Sequence, residues 1–166
     1  MLRLLLAAIA VAAAPPPAWI QRAVPSPIVA WTEADLLGSS IPEGVAVSKA
    51  AGVYFVGVVD SRLDPPEMVL DYDLAKVTKG SSVKTLLAGR ITGAARGEIA
   101  VVLRLAGKER AWILRVDRGR LRFVRAFAAD EIVLSGRTVK LTWKGPRVLF
   151  ELWRYERGAY RLVATS

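Results

Sequence analysis

The strongest constraint on this chain is a two-residue hydrophobic period confined to short runs. Val139, Leu141 and Trp143 alternate with Thr138, Lys140, Thr142 and Lys144, which is the pattern of a strand with one covered and one wet face. Trp112, Leu114 and Val116 share a face, as do Met68, Leu70, Tyr72 and Leu74, and Ile99, Val101, Leu103 and Leu105 form another row. Val53 to Val59 is apolar on both faces, as expected of a central strand. Turn chemistry separates the runs: Ala106-Gly107, Arg118-Gly119, Ser135-Gly136, Gly145-Pro146 and Arg157-Gly158. The gaps are too short for anything but hairpins, and no stretch carries a long helical period. The expected fold is all-β, an antiparallel meander of roughly eleven short strands.

The runs also repeat. Residues 115–124 read Arg-Val-Asp-Arg-Gly-Arg-Leu-Arg-Phe-Val, and residues 154–163 read Arg-Tyr-Glu-Arg-Gly-Ala-Tyr-Arg-Leu-Val. Five of the ten positions are identical and Asp117 aligns conservatively with Glu156, so each copy is a strand, a basic residue with glycine at the turn, and a second strand. Lys79-Gly80 lies the same 39 residues earlier. A second echo precedes two of the strands. Gly38 leads Glu43 by five positions and Val45-Ala46-Val47 follows; Gly93 leads Glu98 by five and Ile99-Ala100-Val101-Val102 follows.

This layout resembles the FG-GAP or VCBS type of extracellular β-repeat. The resemblance implies propeller-blade-like units in which an acidic, glycine-rich calcium loop enters an apolar strand and a hairpin closes the unit. The chain departs from that pattern at the loops. Residues 91–97 read Ile-Thr-Gly-Ala-Ala-Arg-Gly, and at 35–43 only Asp35 and Glu43 offer carboxylates, with Ser39 and Ser40 beside them. Calcium takes six to eight oxygen ligands, so the calcium loops are largely lost and no cofactor is expected. A β-sandwich and a β-trefoil are the alternative architectures.

Ahead of the strands lies a different kind of sequence. Met1-Leu2-Arg3 is a short positive start and Leu4 to Ala14 an unbroken apolar run of eleven residues. That is the size of a secretory signal core and well short of a membrane span. Ala10-Val11-Ala12 supplies the small residues of a cleavage site. The expected organisation is a signal peptide at 1–12, a Pro-rich tether at 13–30 and a single all-β domain at 31–166, delivered outside the cytoplasm to the cell surface or periplasm. Thr32-Glu33-Ala34-Asp35 has the form of a capping box opening one helical turn.

Composition narrows the chemistry. The chain has no cysteine and no histidine, which removes disulfides, thiolate metal sites, the usual base at neutral pH and the Ser-His-Asp arrangement. The expectation is a protein without enzymatic activity. Its net charge of +9 is uneven: residues 1–73 carry four basic and eight acidic side chains, residues 74–166 twenty and seven. Such a field draws anionic partners. The candidate binding residues are Arg115, Arg118, Arg120, Arg122, Arg154, Arg157 and Arg161, with Trp153 and Tyr155 between them. Arginine forks suit phosphate, sulfate and carboxylate, and aromatic faces suit sugars. The expected partners are an anionic polysaccharide, a wall polymer or a membrane surface. A protein partner remains open, and export disfavours nucleic acid. Asp60, Asp64, Asp71 and Asp73 form the one dense acidic cluster. They would serve the alternative of a calcium-dependent or carboxylate-based hydrolase, and a structural role in a surface assembly is the third reading.

Overall fold

Among the described residues, twelve strands make three four-stranded antiparallel sheets, each a simple meander. The computed structural model describes residues 14–166, so the signal expected at 1–12 lies outside the described residues. Sheet 1 holds β1 (Ile28–Ala34), β2 (Glu43–Ala50), β3 (Val53–Asp60) and β4 (Glu67–Lys76). Sheet 2 holds β5 (Ser82–Gly89), β6 (Glu98–Leu105), β7 (Lys108–Asp117) and β8 (Arg120–Ala129). Sheet 3 holds β9 (Glu131–Ser135), β10 (Thr138–Trp143), β11 (Leu149–Glu156) and β12 (Ala159–Thr165). Four of the hairpins turn on an X-Gly pair, at Ala51-Gly52, Ala106-Gly107, Arg118-Gly119 and Arg157-Gly158. Both residues of each pair have positive φ, the turn whose twist matches that of the strands it joins.

The alternation along the strands decides how the sheets stack. In sheet 2, Ile99, Val101, Leu103, Leu114 and Val116 point one way and pack with Val45, Val47, Tyr54 and Val56 of sheet 1. Ala100, Val102, Ala111, Ile113 and Phe127 point the other way and pack with Ile132, Val139, Leu141, Tyr155 and Tyr160 of sheet 3. Sheet 2 is thus buried on both faces, and β3, apolar from Val53 to Val59, is an inner strand of sheet 1.

Two expectations about the N-terminal part are corrected. Within the segment expected to be an extended tether, Ala18–Ala23 forms a short helix, α1, and its Ile20 and Val24 pack with Ala46, Phe55 and Val59 on the far face of sheet 1. Six residues are too few to hold a helix in water; burial against the sheet holds this one. Gly44 admits it, since a Cβ there would lie 2.7 Å from Ile20 Cδ1. The ordered domain therefore begins before residue 31. Thr32, Glu33 and Ala34 belong to β1 and not to a helical turn. The Asp35 carboxylate instead closes the following loop by accepting the N–H groups of Gly38 at 2.8 Å and Ser39 at 3.1 Å.

The two echoes have distinct structural meanings. The repeated hairpin is the third and fourth strand of sheets 2 and 3. Lys79-Gly80 does not belong to it, because it lies in the link between β4 and β5. The glutamate echo marks the first residue of the second strand in sheets 1 and 2. Glu43 and Glu98 are fully buried and turn back to accept loop N–H groups: Leu36 on Glu43 at 2.7 Å, Thr92 on Glu98 at 2.7 Å. A buried carboxylate needs such partners, and here the preceding loop supplies them. Gly97 marks how closely these loops approach, since a Cβ there would meet the backbone of Leu36 at 2.5 Å.

Candidate anion-binding site

The sheet register divides the arginines of the two hairpins. On β7 and β8, Arg115 pairs with Arg122 and Asp117 with Arg120, on the face of sheet 2 that looks toward sheet 3. On β11 and β12, Arg154 pairs with Arg161. Their neighbours Trp153, Tyr155 and Tyr160 fill the core facing sheet 2, so Arg154 and Arg161 project from the opposite, outer face of sheet 3. The two basic rows do not form one surface.

Arg115 is drawn inward. Its Nε and Nη2 donate to Glu98 Oε1 at 3.0 and 2.6 Å, and Nη2 also donates to the Tyr155 hydroxyl at 2.5 Å. Burial disfavours the guanidinium's charge, but Glu98 and Tyr155 outweigh it and its pKa is raised. This cluster ties sheet 2 to sheet 3. Trp153 is also committed to packing: it donates to Glu151 at 2.8 Å, meets Phe127 edge to face, and lies under the Arg125 guanidinium at 4.5 Å. Burial, and then Glu98, raises the pKa of Tyr160 above its ordinary value.

Four exposed arginines, Arg96, Arg118, Arg137 and Arg157, converge at one end of the stack, where the first-to-second-strand loops and the third-to-fourth-strand turns lie. Between sheets 2 and 3, Thr92, Gly93, Ala94, Arg137, Tyr155, Glu156 and Arg157 line a cleft of about 400 Å³. Between sheets 1 and 2, a cleft of about 350 Å³ is lined by residues of the 36–38 loop, by Ala95 and Arg96, and by Val116 to Gly119. Arg96 is ion-paired to Asp117, and Arg122 reaches the same carboxylate at 3.2 Å. Among the described residues Arg118, Arg120, Arg137, Arg157 and Arg161 have no acidic partner within ion-pair distance. Arg154 makes a loose pair with Glu156 at 3.5 Å. Arg96 and Arg137 escape a search for repeated strand arginines because each sits in a loop; the signal for Arg137 is its place beside Gly136 in the β9–β10 turn.

The acidic cluster comes apart in three dimensions. Asp60 is buried and held by Arg62 through a 2.6 Å ion pair, and the Arg62 hydrogen bonds keep its carboxyl below the usual range. Asp64 is exposed in the β3–β4 loop, and Asp71 and Asp73 are exposed on β4. Among the described residues no three acidic side chains are grouped to hold a metal ion. The chain matches no family model, and comparison with curated proteins and with solved structures returns no match.

Proposed function

We propose that this is an exported, non-enzymatic β-repeat module that binds anionic polymers of the cell envelope through the arginines at the turn end of sheets 2 and 3. The observation that carries the reading is the convergence of Arg118, Arg137 and Arg157, all exposed and without acidic partners among the described residues, around two concave clefts. A guanidinium free of a carboxylate keeps its fork available for sulfate, phosphate or uronate. Concave clefts favour a chain-like ligand over a flat membrane surface. Three successive four-stranded meanders support the propeller-blade-like reading and its FG-GAP resemblance. The carboxylates of Asp35 and Glu43, already occupied by loop N–H groups, argue against a calcium-loaded form.

The test is retention on immobilised heparin across a salt gradient. The reading expects binding at low salt and elution as the ionic strength rises, because exposed charge pairs are screened within about 10 Å at 0.1 M. Passage through the column at low salt would sink it.

A further inference from the structure

We infer that the two clefts are one site built twice, and that each takes one anionic group of the same linear acidic polysaccharide; the inference rests on the binding role proposed above. The correspondence is set by hydrogen bonds as well as by sequence. The Val116 N–H donates to Gly97 O at 2.9 Å, and the Tyr155 N–H donates to Arg137 O at 2.8 Å, so each third strand closes on the loop of its own sheet in the same way. Through this register Val116 corresponds to Tyr155, Asp117 to Glu156 and Arg118 to Arg157, the 39-residue offset of the repeat. The opposite wall repeats too: Gly38 and Gly93, each five residues before a buried glutamate, have φ of 75° and 74°. Each cleft is therefore the first loop of one sheet facing the two turns of the next. Each places a turn arginine, Arg118 or Arg157, at its rim with a second arginine, Arg96 or Arg137, beside it.

The two copies differ in strength. In the cleft between sheets 1 and 2, Asp117 neutralises Arg96, and Arg118 is the one lining arginine without an acidic partner among the described residues. In the cleft between sheets 2 and 3, Glu156 turns to Arg154, and neither Arg137 nor Arg157 has an acidic partner among the described residues. The second cleft is the primary subsite and the first an accessory one. Stacked sheets lie about 10 Å apart, so the ligand must carry anionic groups at about that spacing and be long enough to bridge.

The experiment compares variants of equal charge loss. Arg137→Gln/Arg157→Asn empties the primary cleft, asparagine being chosen because it tolerates the positive φ of the turn (48° at Arg157). Arg154→Gln/Arg161→Gln removes two charges from the outer face of sheet 3. Thermal melts establish that both remain folded, and binding is measured with size-fractionated heparin oligosaccharides and, in parallel, with oligogalacturonides. The expected result is at least a tenfold loss for the cleft variant and under threefold for the outer-face variant. Wild-type affinity should also step up with ligand length, and Arg118→Asn should remove that step, since bridging two sites raises avidity without new contacts. Equal losses for the two double variants, or no dependence on length, would overturn the two-cleft inference while leaving polyanion binding intact. Absence of wild-type binding would overturn both.

Discussion

Glu109 is the clearest place to test what holds sheet 3 to sheet 2. Its side chain, 3% exposed, extends from β7. Oε2 accepts Lys84 Nζ at 2.7 Å and the Ile132 N–H at 2.7 Å, while Oε1 accepts Arg104 Nη2 at 3.2 Å. Lys84 Nζ also donates to Ile132 O at 3.0 Å. The Lys84–Glu109 pair thus grips both backbone groups of Ile132, near the start of β9, and anchors the third sheet. Glu109→Gln preserves the shape and one acceptor for Ile132 but removes the charge. Lys84 is 27% and Arg104 56% exposed, so both recover part of their hydration. The loss is then about that of one charge-assisted hydrogen bond, ~2 kcal/mol. Glu109→Ala also orphans the Ile132 N–H and leaves a half-buried ammonium unpaired, which costs about 3–5 kcal/mol. In a chain of this size the glutamine variant should melt roughly 4–8 °C below wild type.

The pH dependence gives a second readout of the same substitution. Burial pushes the Glu109 carboxyl up, but Lys84, Ile132 and Arg104 together hold it below its ordinary value. A carboxyl lowered on folding contributes stability above its unfolded pKa, and that contribution disappears as pH falls through the folded value. The wild-type melting temperature, followed by circular dichroism from about pH 7 down through the carboxylate range near pH 4, should therefore fall more steeply than that of Glu109→Gln. A glutamine variant as stable as wild type at neutral pH, with an identical acid limb, would refute the anchoring argument.

Two further predictions probe the ends of the stack. Gly97→Ala forces a methyl group against the Leu36 backbone. It should destabilise the sheet 1–sheet 2 contact by about 1–3 kcal/mol, read as a lower denaturation midpoint, and an unchanged midpoint would mean that the loops move apart freely. Ile20→Ala removes the one fully buried side chain of α1. It should cost about 2–5 kcal/mol and raise hydrogen exchange on β2 and β3, whereas a neutral result would make the helix an ornament on sheet 1.

Much of this architecture is legible in the order of residues because strand signals are local. The two-residue period marks the strands, and X-Gly pairs mark the hairpins whatever the surroundings. The 39-residue echo identifies two equivalent hairpins from residue order alone. The helix α1 is not legible, since Trp19, Ile20, Ala23 and Val24 span barely one turn and are helical only because sheet 1 offers a face to cover. Nor can a strand's period say which of its faces a neighbouring sheet will bury. Arg115 and Arg154 occupy the same place in the repeat, each aimed at whatever lies beyond its own sheet. For Arg115 that is sheet 3, whose Tyr155, together with Glu98 of its own sheet, draws it into the interior. Beyond Arg154, among the described residues, there is no further sheet, and it stays in solvent. Local residue order sets the strands, the turns, the repeat and the excess of arginine. Tertiary structure decided which arginines are structural and which stand free around a cleft, because the cost of burying a charge depends on what the next sheet brings to meet it.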